Sequence, residues 1–181
     1  MTGAEARASV LPQSPIPSFL IDSTDLISSL CYAMIAWHYT TGEKFERIAR
    51  SRELRPPSVS FNPPERPILW FSLNQFWEQT ANNAYRQDDG TIVELDMQAT
   101  LEIGRGLVRV GVMAADSRLH RWPELGEQAR MSEAVVEQLI RTGVEKGSNP
   151  EDWAGMFTSV RPAECVIDVI DAPTLKWVRI Q

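Results

Sequence analysis

The segment 36–41 (Ala-Trp-His-Tyr-Thr-Thr) most constrains the fold, because a histidine lies in an apolar run that ends in two hydroxyl side chains. Thr40 and Glu43 have the spacing of a capping box. A strand is therefore expected from about Cys31 to Tyr39, followed directly by a helix over residues 43–52. This places His38 at the mouth of a strand-to-helix turn. Such a histidine is either a core-edge residue satisfied by a backbone carbonyl or part of a site.

A second strand, capping box and helix follow in the same order. Residues 68–72 form a short apolar run of strand length. Ser72 and Gln75 have the spacing of a capping box, which predicts a helix that ends near Tyr85. The two units are separated by a proline-rich loop over residues 55–67, where missing amide donors and a fixed φ oppose regular structure.

The rest of the chain predicts more short strands and one more long helix. Strands are expected over 91–97, 104–113, 164–170 and 175–180, a turn at 88–90, and a helix over 132–141. Short strands interleaved with three or four helices favour an α+β fold over a βαβ sheet. With 181 residues and 43% hydrophobic content, residues 31–181 are expected to form one domain. Residues 1–30 are expected to form an N-terminal arm, with room for a short helix.

Composition excludes several classes of function. The net charge of -6 argues against a general DNA-binding surface. Cys31 and Cys165 lie far apart without CxxC spacing and are predicted to be reduced, buried thiols. Two histidines without an HExxH motif or an acidic cluster predict no metal site. The first 18 residues resemble neither a secretory signal nor a membrane span, so a cytoplasmic protein without membrane contact is expected.

Three segments combine aromatic, hydroxyl and acidic residues in a characteristic order. They are 36–40 (Ala-Trp-His-Tyr-Thr) with 53–56 (Glu-Leu-Arg-Pro), 68–72 (Ile-Leu-Trp-Phe-Ser) with 80–85 (Thr-Ala-Asn-Asn-Ala-Tyr), and 163–167 (Ala-Glu-Cys-Val-Ile). In this order they resemble the signature segments of the ADP-ribosyltransferase superfamily, in the branch of the poly(ADP-ribose) polymerases and RNA 2'-phosphotransferases. That family reads Leu-Trp-His-Gly-Ser/Thr, then Gly-Ile-Tyr-Phe-Ala/Ser, then a glutamate that opens a late strand. The resemblance implies split antiparallel β-sheets with a few flanking helices.

The resemblance also implies roles for individual residues. Glu164 is the implied catalytic carboxylate, and His38 acts with it while binding the adenosine ribose of NAD+. Trp70 and Tyr85 are the implied aromatic walls of the nicotinamide slot, and Thr80 lies near the amide. The full set implied to bind NAD+ is His38, Tyr39, Thr40, Trp70, Ser72, Thr80 and Tyr85.

The implied chemistry accounts for these residue types. Cleavage of the nicotinamide–ribose bond builds oxocarbenium character on the ribose, which requires a nearby carboxylate. Glu164 would contact the 2'-hydroxyl and accept the proton of the attacking group. Aromatic walls hold the leaving ring in the reactive geometry. The expected function is NAD+-dependent transfer of ADP-ribose to an unidentified protein, nucleic-acid or small-molecule acceptor, in a protein of bacterial, toxin-like type.

Two departures from the family pattern keep alternatives open. Tyr39 stands where the family has glycine, so the close backbone approach and the φ freedom are lost, and Trp70 replaces a stacking tyrosine. A catalytically degenerate binding module on the same fold is one alternative. An RNA 2'-phosphotransferase is another, disfavoured by the low basic content of the chain and by its two histidines. A small α+β interaction protein whose aromatic residues are all core is the third.

A pyrophosphate group would also require cationic partners. The candidates are Arg47, Arg50, Arg52, Arg55, Arg118 and Arg121. On a helix face, Arg47 and Arg50 are equally explained as solvated side chains. The sequence does not choose among them, and it does not indicate an oligomeric state.

Overall fold

The computed structural model describes residues 34–58 and 64–181. The strands are β1 (Ile35–Thr41), β2 (Leu69–Ser72), β3 (Ala84–Arg86), β4 (Ile92–Glu94), β5 (Leu107–Met113), β6 (His120–Arg121), β7 (Trp153–Met156), β8 (Val166–Asp171) and β9 (Lys176–Arg179). The α-helices are α1 (Gly42–Ser51), α2 (Met97–Ile103), α3 (Glu124–Gln128) and α4 (Glu133–Glu145). Single 3-10 turns cover Gln79–Ala81, Pro150–Asp152 and Pro162–Glu164.

Seven of these strands form one sheet in the order β6-β7-β2-β1-β5-β8-β9, and β3 and β4 form a separate hairpin. Every strand pair is antiparallel. The prediction of an α+β fold is therefore confirmed. The expected arm over residues 1–30 and Cys31 lie outside the described residues.

The sheet is weakest between β1 and β2. Seven residue pairs join β1 to β5, whereas the β1–β2 register consists of the single pair Trp37 and Ser72. Strand β2 pairs along its whole length with β7 instead. Beyond that one pair, side chains and solvent can therefore enter between the two strands.

Helices cover both faces of the sheet. On one face, Ala36 and Val110 belong to a cluster that contacts Phe45 and Ile48 of α1. On the other face, the next residue along β1, Trp37, packs in a cluster with Leu101 of α2 and with Trp77. The alternation along β1 follows from the two-residue period of a strand.

The strand-to-helix unit at the start of the described chain is confirmed with a shift of one residue. Strand β1 runs to Thr41, and the side chain of Thr41 accepts from the Lys44 amide to cap α1. The predicted cap, Thr40, lies inside the strand and is buried. Helix α1 ends where predicted, at a left-handed Arg52.

The helix predicted to end near Tyr85 is wrong. After β2 the chain turns, because the Asn74 side chain accepts from the amides of Phe76 and Trp77. A single 3-10 turn follows, and Tyr85 lies in β3, the first strand of an exposed hairpin. The turn at Asp88–Gly90 is confirmed, with Gly90 at a φ of 88°. Asp96 caps the helix α2, which the sequence analysis did not predict.

The predicted strands near the C-terminus are confirmed with one correction. Strands β8 and β9 pair as a hairpin, but β8 begins at Val166. Glu164, predicted to open this strand, ends the 3-10 turn Pro162–Glu164 instead. In the part of the chain that the structure describes, no helix has the length and apolar character needed to cross a membrane.

Gly143 allows α4 to approach the sheet, which gives a testable prediction. A Cβ at Gly143 would lie 2.3 Å from Cζ2 of the buried Trp153. We expect G143A to lower the free energy of unfolding, because overpacking costs about 1–3 kcal/mol and exceeds the gain in helix propensity of at most about 1 kcal/mol. Chemical denaturation followed by tryptophan fluorescence measures the difference.

The matched control for G143A is G126A in α3. A Cβ there would meet its nearest neighbours at 3.5 Å, an ordinary van der Waals distance. We expect G126A to leave the stability unchanged or to raise it slightly. Equal stabilities of the two variants would contradict the close packing of α4 on Trp153.

Candidate functional site

A cavity of about 350 Å³ opens beside the weak β1–β2 junction. Five aromatic side chains from three neighbouring strands line it: Trp37, Tyr39, Trp70, Phe71 and Trp153. The rings of Trp70 and Trp153 meet edge to face, with centroids 6.3 Å apart. Helix α4 closes one side with Leu139, Thr142, Gly143 and Lys146. The cavity is large enough for a planar heterocycle with an attached sugar.

His38 lies where β1 and β2 separate. Its Nδ1 is 2.9 Å from the carbonyl oxygen of Trp70, so the neutral ring donates from Nδ1 and presents Nε2 as an acceptor. Burial lowers the pKa of His38, an effect opposed by this hydrogen bond and reinforced by the nearby charge of Lys44. At neutral pH the ring is therefore an uncharged acceptor at the cavity.

Glu78 contributes a buried carboxylate to the cavity. The hydroxyl of Ser72 donates to its Oε2 at 2.8 Å. Its Oε1 accepts from the hydroxyl of Thr80 at 2.9 Å, from the amide of Thr80 at 3.3 Å and from the hydroxyl of Ser148. All of these donors are neutral, and they come from β2, the 3-10 turn after it and the loop after α4. The carboxylate is thus held in one position by three parts of the chain.

The turn that carries Glu78 is fastened to the sheet by side chains on the same face. The indole of Trp37 donates to the side-chain oxygen of Gln75 at 2.8 Å. The Tyr39 hydroxyl donates to the Asn74 carbonyl at 2.5 Å. Burial raises the pKa of Tyr39, despite the opposing charge of Arg109, so the phenol keeps its proton. These contacts fix residues 73–78 and hence the position of Glu78.

Arg109 provides the buried charge beneath this turn. Its guanidinium makes two hydrogen bonds to Asp168, at 2.9 Å and 2.7 Å, and donates to the Gln75 carbonyl at 2.5 Å. The same group lies 3.9 Å from the ring centre of Trp37 and 4.7 Å from that of Trp177. A planar cation is therefore held between aromatic faces and paired with a carboxylate.

The structure brings together five of the residues predicted to bind NAD+. His38, Tyr39, Trp70, Ser72 and Thr80 all line the cavity, although they come from two segments about thirty residues apart. Two others do not line it. Thr40 is buried in β1, and Tyr85 is 48% exposed on the β3–β4 hairpin.

Glu164, the expected catalytic carboxylate, also lies outside this cavity. Its side chain is half exposed and forms an ion pair with Arg161 on the same turn. It lines a second cavity of about 310 Å³ together with Asp116, Arg118 and Cys165. Burial raises the pKa of the Cys165 thiol to about 11, so this unpaired cysteine is protonated at neutral pH. The expectation that Glu164 acts beside His38 is not met by this placement.

Sequence reasoning missed Glu78, which is the acidic residue that lines the cavity. Glu78 lies in the segment for which a helix ending near Tyr85 was predicted, whereas the structure has only a 3-10 turn there. A local signal was present, because Glu78 lies between Trp77 and Thr80, shortly after a strand that ends in a serine. In the structure, the Glu78 side chain caps the 3-10 turn by accepting from the Thr80 amide. The carboxylate-to-Ser148 contact spans 70 residues, and no local pattern predicts it.

The candidate pyrophosphate arginines do not line the cavity. Arg47 and Arg50 form exposed pairs with Glu43 and Glu46 one helical turn earlier, and Arg118 pairs with Asp116. Lys146 is the basic side chain at the cavity, and it is paired with Glu94 at 2.8 Å. Among residues 34–58 and 64–181, no group of three or more His, Cys, Asp or Glu side chains is placed to hold a metal ion.

Comparisons with models of protein families, with curated proteins and with solved structures find no match to this chain.

The lowered pKa of His38 predicts a dependence of stability on pH. Below pH 6.5, the ordinary pKa of histidine, the unfolded chain binds a proton at this position more readily than the folded protein. The free energy of unfolding should therefore decrease as the pH falls from about 6.5, with a contribution of at most about 1.4 kcal/mol per pH unit. Urea denaturation at pH 7.5, 6.0 and 5.0 measures this slope. We expect His38→Gln to reduce the slope, and an unchanged slope in this variant would contradict the assignment.

Proposed function

We propose that this chain is an ADP-ribosyltransferase-like protein that binds NAD+ with the nicotinamide end in the β1–β2 cavity. The observation that carries the proposal is the convergence of His38, Tyr39, Trp70, Ser72 and Thr80 on one cavity. These residues belong to two of the segments that resemble the superfamily, and they lie about thirty positions apart in the sequence. The antiparallel α+β architecture supports the proposal at the level of fold class.

The chemistry of the walls supports binding of a nucleotide with a planar ring. Trp70 and Trp153 offer aromatic surface for stacking. The Nε2 atom of His38 is an acceptor for a ribose hydroxyl, because Nδ1 is already used in the contact with the Trp70 carbonyl. Tyr39, at the position of the family's glycine, points its hydroxyl to the Asn74 carbonyl and so belongs to the wall.

Transfer of ADP-ribose needs a carboxylate near the anomeric carbon, and we assign this role to Glu78 instead of Glu164. The bond between the anomeric carbon and the ring nitrogen breaks, and nicotinamide leaves as a neutral molecule with the electron pair. The ribose then carries oxocarbenium character, which a fixed carboxylate stabilises. An acceptor nucleophile attacks the anomeric carbon, and its proton passes to Glu78. The acceptor is a macromolecule or a small molecule.

A catalytically degenerate binding module is the second candidate. It is favoured by the location of Glu164 in the other cavity and by the four hydrogen bonds that Glu78 accepts from neighbouring residues. An RNA 2'-phosphotransferase receives less support, because the arginines of the described chain do not line the cavity.

A thermal-shift titration with NAD+ tests the proposed binding. At 100 times the dissociation constant, a ligand adds about 2.7 kcal/mol of stability, which corresponds to a rise in Tm of roughly 5–10 °C for a domain of this size. We expect this shift for the wild type and for the matched acidic control E164Q, and its loss in His38→Ala. Absence of a shift at millimolar NAD+ in a folded wild type would reject the proposal.

A measurement of nicotinamide release distinguishes an enzyme from a binding module. We expect the wild type and E164Q to release nicotinamide from NAD+ at similar rates. We expect E78Q to lose at least a hundredfold in rate, within the range of about 10²–10⁴ typical of a lost general acid or base. A Tm shift with NAD+ but no release in any variant would favour the binding module. Loss of release in E164Q but not in E78Q would overturn the assignment of Glu78.

A further inference from the structure

We propose that the β1–β2 cavity selects a planar, delocalised cation of the N-alkylpyridinium class over a neutral ring of the same shape, with Glu78 as the counter-charge. The inference rests on the proposed function in identifying that ring with the oxidised nicotinamide of NAD+. It adds a physical reason for the cavity to prefer a positively charged ring over a neutral one. The charges and aromatic faces around the cavity are the physical basis of this cation recognition.

The first observation is the missing counter-charge of Glu78. The side chain is 6% exposed, and its partners are the hydroxyls of Ser72, Thr80 and Ser148 and one amide. No lysine or arginine of the described chain forms an ion pair with it, since the ion pairs of that part involve other acids. Buried carboxylates are usually paired with a cation or a metal, so a cationic ligand is the complement of this site.

The second observation is that basic groups at the cavity do not supply that charge. Lys146 lines the cavity, but its ammonium group lies 2.8 Å from Glu94. His38 is held neutral, because burial lowers its pKa. A positively charged ring entering the cavity would therefore meet the carboxylate of Glu78, while the positive charge of Lys146 on the wall is balanced by its own partner Glu94.

The third observation is an arrangement of the same kind elsewhere on this face of the sheet. The planar Arg109 cation lies on the ring of Trp37 and is paired with Asp168. Trp37 also lines the cavity, where Trp70 and Trp153 accompany Glu78. The protein thus combines an aromatic face and a buried carboxylate twice. Next to Asp168, Arg109 supplies the planar cation. Next to Glu78, a ligand would supply it.

Aromatic faces favour such a ligand on physical grounds. The negative face of an indole attracts a cation, and the attraction increases when water is excluded. A pyridinium ring spreads its charge over a flat surface that stacks on tryptophan. The neutral ring keeps the stacking but loses the attraction to the indoles and to Glu78. Oxidised nicotinamide therefore binds better than reduced nicotinamide, and neutral nicotinamide leaves readily after bond cleavage.

Isothermal titration calorimetry with two small probes tests the inference on the whole chain. The probes are 1-methylnicotinamide, a cation, and nicotinamide, its neutral counterpart. We expect the wild type to bind the cation at least about tenfold more tightly, as cation–π attraction and a buried charge together allow. Equal affinities, or no binding of either probe at millimolar concentration, would overturn the inference. This comparison needs no variant and is therefore independent of folding defects.

A variant of Glu78 tests whether this residue causes the preference for the cationic probe. In E78Q, which keeps the size of the side chain and one acceptor oxygen but removes the charge, we expect the two probes to bind within about twofold of each other. The matched control E164Q should keep the tenfold preference. A preserved preference in a folded E78Q would show that Glu78 is not the counter-charge and would overturn the inference.

A parallel titration with NAD+ and NADH distinguishes this inference from the proposed function. Preference for 1-methylnicotinamide without binding of NAD+ would reject the proposed function and leave the cation site standing. Equal binding of NAD+ and NADH would support a dinucleotide pocket but reject cation selection. Preference for NAD+ over NADH, lost in E78Q, is the result expected when both are correct.

Discussion

The ion pair between Arg109 and Asp168 supports the rest of the site. The two residues lie opposite each other on β5 and β8, and the pair is almost completely buried. Removing Asp168 would leave the Arg109 charge uncompensated in the interior, whereas Asp168 has a second partner in Arg179. Because the guanidinium also contacts Trp37 and the Gln75 carbonyl, the same interaction joins the sheet to the turn that precedes Glu78. The geometry of the cavity therefore depends on a charge that lies beneath it.

Glu78 shows how tertiary contacts bury a carboxylate and fix its position. Its donors come from positions 72, 80 and 148, so the carboxylate links the end of β2 to the loop after α4. The single residue pair between β1 and β2 leaves the space that the cavity occupies. In a continuous ladder, the Trp70 carbonyl would pair with a backbone amide, whereas here it accepts from the ring of His38. The interrupted ladder and the fixed carboxylate together define the site.

Proposing Glu78 instead of Glu164 as the carboxylate changes the interpretation of the resemblance to the ADP-ribosyltransferase superfamily. Residues from the first two of the segments that resemble the family line one cavity. The third segment lies at a different cavity, where Glu164 is paired with Arg161 and exposed to solvent. An enzyme on this scaffold would draw its carboxylate from the turn after the second segment. A binding module would use the same carboxylate for recognition alone.

The sequence by itself determined the elements whose signals are local. The strand–helix unit β1–α1, strand β2 and the C-terminal hairpin follow from apolar periodicity and capping residues, whereas five residues that line the cavity were implied by the resemblance of their segments. The helix predicted over residues 75–85 failed because the Asn74 side chain captures the next amides and Gln75 bonds to carbonyls of Ile35 and Leu73. Only the tertiary structure decided that Glu78 faces the cavity and Glu164 does not. Contacts between residues 70 positions apart depend on how strands pair, and local sequence carries no record of that pairing.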